Sequence, residues 1–238
     1  MVEITIVELE DNIPFQEKFL MEVSKNRKEK IYRYEKTLDK KRSLLAELLI
    51  QKVTMEKIGL RNAVIYRNRY GKPYIKDEEG FYFNISHSGD YVAIGVSDEE
   101  IGIDIERKYG VDYRIAKRFF TPKEAQTILS CIEEQERIDT FFKFWTLKES
   151  YVKAIGMGLR IPLSSFEFDI GDEIKVNDSE HRVFFIFIIG LYRIIVWQFA
   201  MPRRMLNVVF VLLKKGNCMM NCGRGNCTLY YQVGERGM

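Results

Sequence analysis

The segment Ile101-Gly102-Ile103-Asp104-Ile105-Glu106 alternates strictly, so a strand would turn the three isoleucines to one face and Gly102, Asp104 and Glu106 to the other. Residues two apart on a strand lie roughly 6.5 to 7 Å apart, and two carboxylates at that separation suit a hard divalent cation that keeps part of its water shell. A half-buried strand with a solvated acidic face has the same pattern. A second set stands in Trp145-Thr146-Leu147-Lys148-Glu149-Ser150-Tyr151-Val152-Lys153. On a helix Trp145, Glu149 and Lys153 fall at i, i+4 and i+8, and so present a ring, a carboxylate and an ammonium along one face. An ordinary surface Glu-Lys pair over a packed tryptophan reads identically. Taken together, Asp104, Glu106 and Glu149 make three oxygen ligands for a metal, and Lys153 stands one turn on to meet a phosphate that the metal carries.

Those groups need a strand and a helix to hold them, and the chain offers both. A first strand is expected at 2–9, a helix from Pro14 to Val23, a basic segment to Tyr34 and a long helix from Asp39 to Ile58, the last with apolar residues at helical spacing. Strands follow near 62–67, 81–85, 91–97 and 101–106. The turn Asp98-Glu99-Glu100 predicts a hairpin of the last two. Beyond Arg107 the pattern predicts helices near 112–118, 122–134 and 139–156, then strands near 165–170, 183–189 and 192–199. Each half therefore reads as helices packed on a small antiparallel sheet, an α+β arrangement. Thr121-Pro122-Lys123-Glu124 has the form of a capped helix start, with Glu124 at the N3 position of a capping box.

The 238 residues carry a net charge of +3 and are 46% hydrophobic, enough for a substantial core. Positive charge gathers at 25–42, where nine Lys or Arg face three acidic residues. Such a segment draws an anion: a nucleotide phosphate, nucleic acid or an acidic protein. Ser86, His87, Ser88 and Gly89 form a small-residue turn whose N–H groups and hydroxyls can cradle phosphate, though a turn histidine is also often structural. The N-terminus lacks the basic and apolar regions of a secretory leader, which leads us to expect a cytoplasmic protein. Residues 183–201 are apolar or uncharged apart from Arg193 but rich in β-branched and aromatic types, and are read as two buried strands rather than a membrane span. The four cysteines fit neither a zinc pair nor a disulfide framework.

The order FNISHSG (83–89), GIDIE (102–106), RFFTPKE (118–124) and WTLKES (145–150) resembles the 4′-phosphopantetheinyl transferases of the Sfp type. The likeness runs from about residue 24 to 170, through RYGKP at 69–73. It implies two structurally similar halves, 1–107 and 108–200, with the active site in the cleft between them; residues 201–238 resemble no expected family ending and read as a divergent, a disordered or an aberrantly translated tail. It further implies Mg²⁺, with Mn²⁺ as the alternative, held by Asp104, Glu106 and Glu149. Coenzyme A is the implied substrate, contacted by Arg27, Lys30, Arg42, Lys72, Pro73, Ser86, His87 and Lys153.

The implied reaction moves the 4′-phosphopantetheine arm of coenzyme A to a serine of an acyl or peptidyl carrier protein and releases adenosine 3′,5′-bisphosphate. Glu149, Lys153 and His87 are the expected catalytic groups. A monomer is expected, with neither nucleic acid nor membrane as partner. Two other readings share the residues: a metal-dependent nucleotide pyrophosphate hydrolase, and a coenzyme A-binding module without catalysis.

Overall fold

A computed structural model describes residues 2–9, 14–171, 174–178, 185–190, 221–223 and 226–230. The N-terminal part runs β1 (Val2–Glu8), a 3₁₀ turn (Glu17–Glu22), α1 (Lys25–Arg33), α2 (Thr37–Ile58), β2 (Ile65–Arg67), β3 (Pro73–Ile75), β4 (Tyr82–Ser88), β5 (Tyr91–Ser97) and β6 (Ile101–Glu106). It continues with α3 (Arg114–Phe119), α4 (Pro122–Ser130), α5 (Glu134–Ile155), β7 (Phe166–Ile170), β8 (Ile174–Asp178), β9 (Phe185–Gly190), β10 (Asn221–Gly223) and β11 (Asn226–Tyr230). The helix expected over Pro14–Val23 is only the 3₁₀ turn. Gln16 provides no side-chain cap, and Leu20 is the turn's one buried residue, so little favours a longer helix.

One antiparallel sheet has the order β10-β11-β1-β5-β4, and α2 lies on it through Leu49, Ile50 and Val53 against Val92, Ile94 and Val96. Two segments of the 201–238 tail, β10 and β11, thus extend this sheet beyond β1, while the strand expected at 192–199 lies outside the described residues. A second core gathers α3, α4, α5 and β7 around Phe120, Phe141, Phe144, Leu147 and Phe166. The mixed helix-and-sheet composition is that expected of an α+β protein. No helix among the described residues is long and apolar enough to cross a membrane.

The hairpin expected of β5 and β6 does not form, and β6 pairs instead in parallel with β9, Ile103 opposite Phe187. Glycines explain where β6 goes. Its isoleucines, all fully buried, press on β5 at Gly95, where an added Cβ would come within 2.9 Å of Ile101 Cδ1. Its other face lies on α5 at Gly102, where an added Cβ would meet Ala154 N at 2.5 Å and Ala154 Cβ at 2.9 Å. Removing both side chains lets strand β6 slot between a sheet and a helix at backbone distance. That contact sets Asp104 and Glu106 against the face of α5 that carries Glu149 and Lys153.

Candidate active site

Asn84, Ser86 and Ser88 share one face of β4 and fasten it to β6 through side chains rather than a backbone ladder. Asn84 Oδ1 accepts from Ile103 N at 3.0 Å, Ser86 Oγ donates to Asp104 Oδ1 at 2.8 Å, and Ser88 Oγ donates to Glu106 Oε2 at 2.8 Å. Ser88 Oγ also accepts from Arg107 N at 3.1 Å. Period-two alternation turns His87 to the opposite face, so it lies within strand β4 and not in the expected turn, which falls at Gly89 and Asp90. The hydroxyls of Ser86 and Ser88 aim the two carboxylates. The sequence pattern had pointed to a phosphate cradle there.

From α5, Lys153 Nζ donates to Asp104 Oδ1 at 2.6 Å and to Ser86 Oγ at 2.9 Å. Trp145 Nε1 donates to Glu106 Oε1 at 3.3 Å, and its ring stacks on Phe141 at 5.9 Å. The i, i+4, i+8 face therefore points at β6 as expected. Asp104 is almost wholly buried, and its Oδ2 has no hydrogen-bond partner. Burial, and after it the negative charge of Asp104, raises the pKa of both Glu106 and Glu149. His87 is held below the ordinary imidazole range by desolvation first, then by the positive charges of Arg42 and Lys153.

The three carboxylates feel one another but do not close around an ion. Among the described residues no group of three Asp, Glu, His or Cys is placed to hold a metal. At Asp104 the Lys153 ammonium sits on Oδ1. The donor set nonetheless fits a hard cation. It offers carboxylate oxygens with raised pKa values and one buried oxygen still lacking a partner, which is the surrounding that a divalent ion relieves.

The cations expected around coenzyme A are more dispersed. Arg27 is drawn inward, its Nε 2.6 Å from Glu47 Oε2 and its Nη1 3.2 Å from Ser43 Oγ, so it ties α1 to α2. Lys30 is exposed, with Nζ 6.0 Å from the Tyr34 ring. Both line a pocket of about 630 Å³ beside α1 that contains neither Asp104 nor Glu149. Arg42 donates through Nε at 2.7 Å and through Nη2 to the Gly89 carbonyl, and through Nη1 to Asp39 Oδ1 at 3.0 Å, which places it at the His87 strand end. Lys72 pairs with Glu100 and donates to Ala154 O at 2.6 Å; burial lowers its pKa and the Glu100 contact opposes that. Pro73 opens β3.

The capping box at Thr121 forms as the sequence predicts, with Thr121 Oγ1 accepting from Glu124 N at 3.3 Å and Glu124 Oε2 from Thr121 N at 2.9 Å. Glu124 does more than cap, however. It is buried with Lys148, Oε2 to Nζ 2.8 Å, and its Oε1 accepts from Phe168 N at 2.8 Å. Lys148 also donates to Leu163 O at 2.5 Å and Phe166 O at 2.8 Å, and lies 4.3 Å from the Phe166 ring centre. Nothing in the sequence marks Lys148 as a fully buried charge.

A strand of carboxylates thus faces a helix that carries a carboxylate and an ammonium. Comparison with known proteins gives the family. A family described as 4′-phosphopantetheinyl transferase, N-terminal, matches residues 14–99, and the 4′-phosphopantetheinyl transferase superfamily matches residues 100–201. The 4′-phosphopantetheinyl transferase Sfp of Bacillus subtilis (strain 168) is 36% identical over 163 residues, 68% of this chain and 72% of its own length. The 4′-phosphopantetheinyl transferase gsp of Aneurinibacillus migulanus is 40% identical over 149 residues, 62% of each chain. The L-aminoadipate-semialdehyde dehydrogenase-phosphopantetheinyl transferase of Homo sapiens is 37% identical over 158 residues, 60% of this chain and 51% of that one. The chain belongs to the 4′-phosphopantetheinyl transferase family.

Proposed function

We propose that this chain transfers the 4′-phosphopantetheine arm of coenzyme A to a serine hydroxyl of an apo carrier protein, at the junction of β4, β6 and α5. The observation that carries the reading is the convergence of Asp104, Glu106 and Glu149 with Lys153, two carboxylates from a strand of one half and the other groups from a helix of the other half. Asp104, Glu106 and Glu149 would hold Mg²⁺, or Mn²⁺ as the alternative. Such an ion supplies charge neutralisation on the pyrophosphate and on the leaving phosphate.

The chain's own groups carry the remaining work. Lys153, already bonded to Asp104 and Ser86, brings a positive charge to the phosphate oxygens. Glu149, its pKa raised by burial and by Asp104, is the group best suited to take the serine proton. The serine oxygen then bonds to phosphorus as the pyrophosphate P–O bond breaks, and adenosine 3′,5′-bisphosphate leaves. Arg42, beside His87 at the end of β4, would bring positive charge to the nucleotide phosphates with His87 as a hydrogen-bonding neighbour, and Lys30, Lys72 and Pro73 would serve the nucleoside end. Arg27, held by Glu47 and Ser43, supports the segment that presents Lys30.

Intact-protein mass spectrometry on a panel of apo carrier domains with coenzyme A and Mg²⁺ tests the reading. The expected result is one phosphopantetheine mass on the carrier serine, lost in Asp104→Ala, Glu106→Ala and Glu149→Ala. Cleavage of coenzyme A without transfer would replace this reading by hydrolysis. Binding without either reaction would leave a binding module.

A further inference from the structure

The loop after β2 is built by one side chain. Asn68 Oδ1 accepts from Tyr70 N at 2.9 Å and from Lys72 N at 3.0 Å, while Asn68 N donates to Lys72 O at 2.9 Å and Gly71 N to Asn68 O at 3.0 Å. Such side-chain-to-backbone bonds give a turn a fixed shape. The other end of the same amide leaves the loop: Asn68 Nδ2 donates to Gly156 O at 2.9 Å, the carbonyl of the residue that caps α5. Lys72 adds its bond to Ala154 O. One five-residue loop thus satisfies two of the carbonyls that a helix C-terminus leaves without intrahelical donors.

The approach is close because residue 156 is glycine. It has φ +73°, and an added Cβ would lie 2.6 Å from Lys72 Cδ and 3.4 Å from Asn68 Nδ2. The clamped carbonyls follow directly on Lys153, and Glu149 stands one turn earlier. The loop also leads into Lys72 and Pro73.

We infer that Asn68 is a positioning residue that couples nucleotide bound along residues 68–73 to the placement of Lys153 and Glu149 on α5. This rests on the transferase reading of the site. Nucleotide that settles the loop also settles the end of α5, because Asn68 belongs to both hydrogen-bond sets.

The test is Asn68→Asp. This change keeps the oxygen that accepts from Tyr70 and Lys72 but replaces the donor to Gly156 O by an acceptor, so the loop keeps its shape and loses its grip. The expected outcome is a kcat about tenfold lower with the KM for coenzyme A within about twofold. Hydrogen exchange at amides 152–156 should slow when coenzyme A binds wild type and should not respond in the variant. Asn68→Ala, which also removes the loop's acceptor, should raise KM as well. A variant Asn68→Asp with wild-type kcat and wild-type exchange response overturns the inference, as does one that loses thermal stability alone. Absence of transfer by wild-type protein would instead defeat the transferase reading, while the exchange response to coenzyme A would still report on the coupling.

Discussion

Gly102→Ala is the sharpest probe of how this site is assembled. The added methyl would lie 2.5 Å from Ala154 N and 2.9 Å from Ala154 Cβ, and closer still to Ser150 O, where ordinary contact begins at 3.4 Å. These neighbours are mostly helix backbone, which cannot rotate away as a flexible side chain could. Strand β6 is pinned on its other face by three fully buried isoleucines, so α5 has to retreat by about 1 Å. Overpacking of this kind costs about 1–3 kcal/mol, or a Tm lower by about 2–12 °C in a protein of this size. Activity should suffer more than stability. Ser150 and Ala154 directly follow Glu149 and Lys153, and misplacing catalytic groups by about 1 Å lowers turnover about 100-fold. Carrier loading followed by mass spectrometry gives kcat, and calorimetry gives Tm. Gly110→Ala, where a Cβ would meet nothing within 4 Å, is the control and should be neutral. Turnover within threefold of wild type would show that β6 and α5 do not meet at Gly102, and the reasoning would fail.

Lys148→Met should destabilise by about 3–5 kcal/mol, since it strands the buried Glu124 carboxylate, and adding Glu124→Gln should recover much of that loss in a urea titration. Burial, and after it the charge of Asp104, raises the pKa of Glu106 on folding, so its stabilising contribution is complete below the ordinary carboxylate range and is lost as pH rises through its raised pKa. Glu106→Gln should therefore melt above wild type at pH 7 in chelator, with the difference closing near pH 4; a constant difference would contradict the shift. His87 should titrate below the ordinary value of about 6.5 by NMR and move upward when coenzyme A brings negative charge to Arg42 and Lys153. Arg42→Ala should raise KM for coenzyme A more than for its 3′-dephospho analogue; equal effects would assign Arg42 to the Gly89 turn alone.

The carboxylates and the ammonium of the site were legible because each lies on a regular element. Alternation put Asp104 and Glu106 on one face of β6, and helical spacing aligned Trp145, Glu149 and Lys153. What periodicity could not show was the direction in which a long side chain reaches. Arg27 meets Glu47, Lys72 meets Glu100 and the end of α5, and Lys148 goes into the core. The hairpin failed for a related reason. A three-residue acidic turn suits a ladder between β5 and β6, yet Gly95 and Gly102 favour face-to-face packing, a preference that depends on which helix arrives from some fifty residues away. The strand expected to end near 85 runs three residues further, to Ser88, which puts His87 within β4 instead of in a turn.

The bond from Lys153 to Asp104 bears on how the protein comes into being. Sites that gather acidic ligands with no cation of their own tie folding to metal supply. Here the polypeptide provides its own counter-ion, so on the proposed metal reading the strand carrying Asp104 would not depend on an ion to take its place. The two oxygens of that carboxylate have unequal surroundings: Oδ1 accepts from Lys153 and Ser86, whereas the buried Oδ2 has no hydrogen-bond partner.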